Sequence, residues 1–305
     1  MLTTIFEGAQ IVDGTGAARF TTDLAVAGGR IAAIGDLADR EGRERVDARG
    51  KVLVPGFVDV HSHSDQLWLV LPQCDGKIAQ GVTTEIGGNR GMSPAPLIGA
   101  ARDRVAKASA PYGLEAQWTS LEEFFGLVER NGVALNVASL VGLGTTRAAV
   151  AGESERALES DEIAAQARLV REACEQGAIG VSRGLLSVPG RSADAAELIA
   201  MAAAARDGGA PRYASHVRSE ADGLMDAIEE ALVVGERAGV AVQCSHHKAQ
   251  YRRNWGKVHA TLETIDRARS RGVRAAVDVY PYVASWTTLS VILPPRVRFG
   301  GTAAA

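Results

Sequence analysis

Four of the chain's six histidines stand where their imidazoles could share one metal ion. His61 and His63 close the apolar run Pro55-Gly56-Phe57-Val58-Asp59-Val60. On a strand, residues i and i+2 project to the same face, so both rings are directed at one point. His216 closes Tyr213-Ala214-Ser215, and His246 closes Gln243-Cys244-Ser245 one strand–helix repeat later. Neutral imidazoles converging from several strands suit a borderline divalent ion, most often zinc. Any one of these histidines alone reads as a polar residue at a strand end. A His-x-His pair with two more, all at strand C-termini, reads as a metal site. His247 points away from the face used by His246, and His259 falls on a helix surface. Both read as structural or solvent-facing.

Two further motifs are weaker. Gly180-Val181-Ser182-Arg183-Gly184 has the Gly-x-Ser-x-Gly form of a nucleophile elbow, which requires a helix directly after the serine. Leu185-Leu186-Ser187-Val188-Pro189-Gly190 follows instead, and Pro-Gly marks a loop. Gly142-Leu143-Gly144-Thr145-Thr146-Arg147 begins like a dinucleotide loop but lacks its third glycine. Neither carries the chemistry.

The elements that must position the histidines follow one rhythm from residue 51 onward. Strand candidates are Val52–Val60, Thr83–Ile86, Ala134–Val141, Ala178–Ser182, Arg212–Ser215, Val240–Ser245 and Arg274–Val279. Helical stretches rich in Ala, Glu and Arg separate most of them: Glu159–Gln176, Ala193–Arg206, Ala221–Ala238 and Val258–Arg271. Gly177, Gly208, Gly239 and Gly272 suit their C-caps. Residues 97–118 form a longer excursion with a short helix. Alternating strands and helices demand parallel strands joined by right-handed crossovers. The fold class is therefore α/β; a doubly wound sheet and a (β/α) barrel of the TIM type both fit the strand count, and the reading taken is the barrel, in which strand C-termini meet at one mouth. Seven strands are counted where a barrel wants eight, so the barrel reads as incomplete at its C-terminal end. Residues 1–52 differ: short alternating stretches at Thr4–Glu7, Asp23–Val26 and Ile31–Ile34, with turns at Asp13-Gly14 and Gly28-Gly29, predict a small antiparallel β unit. The domain reading is 1–52 as this β segment and 53–305 as the barrel.

Composition narrows the setting. At 46% hydrophobic over 305 residues the chain can bury one large barrel core with a small addition. A formal charge of -3 without a Lys/Arg run argues against nucleic acid and anionic membrane. The most apolar stretch, Val133–Leu143, contains Asn136 and is too short to span a bilayer. Three cysteines without paired spacing, and no signal-peptide pattern, favour the cytoplasm.

Val54-Pro55-Gly56-Phe57-Val58-Asp59-Val60-His61-Ser62-His63 resembles the first-strand signature of the amidohydrolase superfamily. Lys77-Ile78-Ala79-Gln80-Gly81-Val82-Thr83-Thr84-Glu85, Gly88-Asn89 and Ser93-Pro94-Ala95-Pro96-Leu97 narrow the resemblance to the N-acyl-D-amino-acid deacylases, or D-aminoacylases. His216-Val217-Arg218-Ser219-Glu220, Ser245-His246-His247-Lys248 and Asp278-Val279-Tyr280-Pro281-Tyr282 do the same, and the likeness runs from about residue 3 to the last. It implies hydrolysis of an N-acyl-D-amino acid to a free D-amino acid and a carboxylate. It implies a zinc site from His61, His63, His216 and His246, with Lys248 meeting the substrate carboxylate and Tyr280 helping to hold it. It also implies an aspartate at the end of an eighth strand, as metal ligand and proton shuttle, and an N-terminal β-sandwich completed by C-terminal strands. Asp59, Asp65 and Asp278 do not match that aspartate, so the base is expected beyond the chain end and the 305 residues alone to be inactive.

The sequence departs from this pattern around the expected site. The family's Gly-Asn-Cys-Gly, whose cysteine bridges metals, is Gly88-Asn89-Arg90-Gly91 here. A guanidinium neither ligates nor deprotonates. Two unit charges ~4 Å apart repel by about 4 kcal/mol at an effective dielectric of 20, and a dication doubles that. Either Arg90 turns away, to pair with Glu85 or a substrate carboxylate, or the tighter metal position is lost and one ion remains. A mononuclear site with Arg90 as a substrate-binding residue is expected. Gly-His-Gly becomes Gly142-Leu143-Gly144, Ser-Thr-Gly-Leu becomes Ser182-Arg183-Gly184-Leu185, and Trp286 replaces the second serine of Ala-Ser-Ser-Thr. These changes bear on specificity. Two other readings follow: an amidohydrolase acting on a cyclic amide or dipeptide, with Arg90 or Arg183 reading an acidic group, and a degenerate barrel that binds a small anion without turnover.

Overall fold

The computed structural model describes residues 1–185 and 189–285 and divides into two compact units. Trp286 lies outside the described residues, as do 186–188 of the loop expected after Ser182.

The first unit comprises residues 1–87 and 126–138. Its first sheet is built on β1 (Leu2–Ile11), which pairs antiparallel with β2 (Phe20–Ala27), itself antiparallel to β3 (Arg30–Gly35). β4 (Gly42–Asp47) and β5 (Val52–Leu53) run parallel to β1. The expected antiparallel unit is thus a mixed sheet. Its charged β4, Gly-Arg-Glu-Arg-Val-Asp, carries no apolar alternation by which sequence could have found it. Register along β1 shifts between Phe6 and Ala9, where Gly8 adopts φ +64. A Cβ there would lie 2.6 Å from Arg49 Cγ, so the bulge needs glycine. Asp23 ties bulge to crossover, accepting from Gly8 N at 2.8 Å and Leu37 N at 3.1 Å. Two small cores result, one around Leu2, Ile5, Ala25 and Leu37, the other around Ala9, Ile11, Leu24 and Ala48.

The single strand expected over Val52–Val60 is two. Pro55 has no N–H for a ladder, and β6 (Phe57–Asp59) leaves the first sheet to pair parallel with β7 (Val82–Gly87). β8 (Asn136–Ser139) completes the order β6-β7-β8. One apolar run therefore serves two sheets.

The second unit comprises residues 88–125 and 139–305. Its described strands are β9 (Val141–Gly142), β10 (Val181–Gly184), β11 (Arg212–His216), β12 (Ala241–Cys244) and β13 (Ala275–Val277). They form a parallel sheet in the order β13-β12-β11-β10-β9. Helices Ser160–Glu175, Ala195–Asp207, Leu224–Ala238 and Lys257–Ser270 make the crossovers, within a few residues of the sequence expectation. The first begins in a capping box of Glu159 and Glu162, and Asp194 caps the second by accepting from Glu197 N at 2.8 Å. Leu198, Met201, Ala202 and Ala205 of the second helix are fully buried. Gly177, Gly239 and Gly272 take positive φ at their helix ends as expected, but Gly208 does not. Its neighbour Gly209 does, at φ +86. The excursion holds the helix Ala100–Ser109.

Candidate metal centre

In a parallel sheet, residues in register share a face. Ser182 is paired with Ala214, and Gly184 with His216, while Arg183 and Ser215 belong to the opposite face. His216 therefore ends β11 on the face away from Arg183, and only 7% of it is exposed. Next to it, Asp278 Oδ1 accepts from His246 N at 2.6 Å and Oδ2 from Gln243 Nε2 at 2.8 Å. That clamp holds His246 just past β12 at φ 39, a left-handed conformation that costs a non-glycine residue about 1–3 kcal/mol.

The two rings meet edge to face with centroids 4.3 Å apart, and His246 Nε2 lies 2.5 Å from His216 Nδ1. Glu220 accepts from His246 Nδ1 at 2.8 Å, from Lys248 Nζ at 2.5 Å and from Gln250 Nε2 at 2.7 Å. Burial pushes its carboxyl up, but the His246 hydrogen bond and the charges of His246 and Lys248 outweigh that and hold it at about 2. Burial first, then the positive charge of His246, depresses His216 to about 3, so its ring is neutral near pH 7. Its Nε2 is buried with no hydrogen-bond partner.

Donor atoms of His216, His246 and Glu220 all lie within 4.8 Å of one another. Two imidazoles, which bind a metal in their neutral form, and a carboxylate suit zinc. Two nitrogens on a tetrahedral zinc at ~2.05 Å would sit about 3.3 Å apart, so the rings need to part by less than 1 Å ~ a rotamer adjustment. With Glu220 bonded to Nδ1–H, the His246 Nε2 lone pair is left for a metal, the arrangement in which a carboxylate fixes a ligand tautomer. The residues fit the ion.

The other expected pair lies in the first unit. His61 and His63 sit just past the end of β6 with ring centroids 5.5 Å apart, His61 in a bend and neither in a strand. His61 N donates to Asp59 Oδ1 at 3.1 Å. Glu85 on β7 is fully buried and accepts from Ser62 Oγ at 2.5 Å, Ser64 Oγ at 2.9 Å, Trp68 Nε1 at 2.7 Å and Lys77 Nζ at 2.9 Å. Lys77 also pairs with Asp59. Burial raises the Glu85 carboxyl, yet the bonds from Ser62, Trp68 and Lys77 win and leave it below the usual range. Glu85 is thus committed to Lys77.

Of the remaining residues singled out by sequence, Lys248 and Tyr280 come together, with Nζ 5.4 Å over the ring. Arg90 adopts φ 58, and its charge helps depress His216. Its backbone runs so close to Gly184 that a Cβ there would lie 2.5 Å from Arg90 O. Arg183 faces the helix layer, fully buried, with Nη2 bonded to Gly190 O at 2.6 Å and 3.6 Å from Glu197, which also pairs with Arg147. It packs between sheet and helices, with Nε and Nη1 buried and without a hydrogen-bond partner among the described residues. The Ser182 hydroxyl is buried, donating to Gly88 O and accepting from Gly91 N at 2.9 Å, so it pins the 88–91 loop and is no nucleophile. His247 bonds Thr261 at 2.8 Å, and His259 is exposed on its helix. Sequence reasoning missed the roles of Glu220, Glu85 and Ser62. Glu85 is read there only as a candidate partner for Arg90, and Glu220 and Ser62 only as members of quoted motifs.

Residues 44–278 match the amidohydrolase family, and the chain belongs to it. It is 40% identical over 294 residues to the N-acyl-D-glutamate deacylase of Alcaligenes xylosoxydans xylosoxydans, covering 96% of this chain and 59% of the relative. The crystal structure of N-acyl-D-glutamate deacylase from Bordetella bronchiseptica, complexed with zinc and a phosphonate inhibitor, superposes with a TM-score of 0.85 at 40% identity, covering 92% of this chain and 59% of that one. A D-aminoacylase with a binuclear metal centre gives 0.85 at 35% identity, covering 93% and 59%. The chain thus spans about three-fifths of the length of these relatives. The matches bear out the resemblance drawn from the motifs and the expected α/β barrel fold of the amidohydrolases. No helix among the described residues is long and apolar enough to cross a membrane.

Proposed function

We propose that the protein to which this chain belongs hydrolyses a linear amide, removing the acyl group from an N-acyl-D-amino acid in the cytoplasm, with zinc held by His61, His63, His216 and His246. The observation that carries this reading is the His216–His246–Glu220 cluster at the C-terminal ends of parallel strands. Barrel enzymes place their chemistry there. A divalent ion held at these residues supplies Lewis acidity, polarising the scissile carbonyl and acidifying water. Glu220 fixes the His246 tautomer. Lys248, with donors shared between Glu220 and His246 O, offers its charge to the substrate carboxylate beside Tyr280. Arg90 brings a permanent positive charge to the surroundings of His216 and takes the place of a bridging thiolate, which favours one ion over two. Residues 1–52 serve as part of a β-sandwich beside the hydrolase region 53–305.

A substrate panel on the whole protein, with and without chelator, tests the reading. D-selective, chelator-sensitive release of a free amino acid from N-acyl-D-amino acids is expected. Activity confined to cyclic imides or dipeptides would overturn it, and so would a protein that neither contains nor takes up zinc.

A further inference from the structure

The His-x-His spacing suggested a strand whose alternation aims both rings, but the structure supplies a different cause. The chain leaves β6 at Asp59, and 61–64 are in no strand among the described residues. Ordering such a segment costs backbone entropy. Alternation survives because the even residues are captured: Ser62 and Ser64 both donate to Glu85 Oε1, and Ser62 Oγ accepts from Ser64 N at 3.0 Å. Ser62 N donates to Ile86 O at 3.1 Å, one residue past Glu85 on β7. Glu85 itself is held from below by Lys77 and by the buried Trp68. Its carboxylate thus gathers four side-chain donors, two of them flanking His63, and no catalytic step uses it.

We propose that Glu85 is a positioning residue that presets the His61–His63 pair for a divalent metal, acting through the hydroxyls of Ser62 and Ser64. The proposal rests on the reading of His61 and His63 as ligands. A carboxylate is required because an amide at this position would offer one acceptor oxygen to four donors and turn its own N–H groups toward them. Partners behind a metal's ligands typically contribute 10–100-fold in metal affinity, and Glu85 applies that leverage to the backbone between two ligands.

The test is cobalt(II) affinity by chelator competition, with the visible spectrum of the cobalt protein and thermal unfolding of the metal-free protein, on the full chain. Glu85→Gln is expected to weaken cobalt binding about 10–100-fold and to alter the spectrum. Ser62→Ala, which leaves Glu85 paired with Lys77, is expected to weaken binding in the same sense while the metal-free protein still folds and unfolds cooperatively, at a somewhat lower midpoint for the two hydrogen bonds lost. Wild-type affinity and spectrum in both variants, with binding lost in His63→Ala, would overturn the positioning role and leave the ligand reading intact. Wild-type binding in His61→Ala and His63→Ala would overturn the ligand reading and the positioning role with it. If Glu85→Gln does not fold, Ser62→Ala decides by the same criterion.

Discussion

The two histidine corners solve one problem by different routes. In the first unit the rings are accessible, with His61 half-buried and His63 exposed, and the fully buried carboxylate of Glu85 grips the serines between and after them. In the second unit His216 is buried and Glu220 touches the His246 ring itself at 2.8 Å. Each carboxylate is neutralised by one lysine, Lys77 or Lys248. At the first corner the carboxylate meets the residues beside the rings and not the rings themselves. At the second, Asp278 holds the backbone of His246 and Glu220 fixes its tautomer.

The sharpest way to break this comparison is to remove one ligand from each corner. If the four histidines hold one ion, His216→Ala and His63→Ala each lower zinc affinity by at least about a hundredfold, and zinc content falls to the same low level in both. Should one variant keep a full equivalent of tightly bound zinc, the corners are separate sites. Metal analysis after dialysis against a weak chelator reads the difference. A second difference separates two carboxylates that meet the lysines, Glu220 and Asp59. Glu220→Ala strands Lys248 and Gln250 in a site where the carboxylate was 5% exposed, and a loss of about 3 kcal/mol is expected for breaking such a pair. Asp59→Ala leaves Lys77, itself 32% exposed, still paired with Glu85, and a loss below about 1 kcal/mol is expected. Urea unfolding of the metal-free protein measures both. Equal losses would mean the corners are not built differently.

Sequence reached most of the repeating elements, and the strand ends where the histidines stand, because both are local signals. Apolar strands and Ala-Glu-Arg helices show their periodicity within a few residues, and each histidine stands at or just past a strand's end. It misplaced what depends on partners far away. The break at Pro55 between two sheets requires knowing that Val52 pairs with β1 while Phe57 pairs with β7. Sequence reads His61 and His63 as strand residues, whereas they lie past the end of β6, where Ser62 between them bonds a carboxylate 23 residues away. Arg183, a departure from the family at the expected mouth, turned to the helix layer because its partner Glu197 lies on the next helix, a pairing no local pattern announces. Arg90 and His246 share positive φ, which sequence signals only where glycine or asparagine marks it.

The smallest expected effect concerns a histidine adjacent to a ligand. His247 follows His246, and its Nε2 meets Thr261 Oγ1 on the helix Lys257–Ser270 while its N–H donates to Asp278 O at 2.8 Å. The side-chain bond alone distinguishes it from alanine, because the backbone bond survives substitution. A neutral hydrogen bond of this kind contributes about 0.5–1.5 kcal/mol. His247→Ala is therefore expected to lower stability by about 1 kcal/mol and to leave zinc content at the wild-type level, by the same urea and metal measurements. Loss of zinc in this variant would show that the second corner draws on a ring turned toward the helix, and that the division between His246 as ligand and His247 as support is wrong.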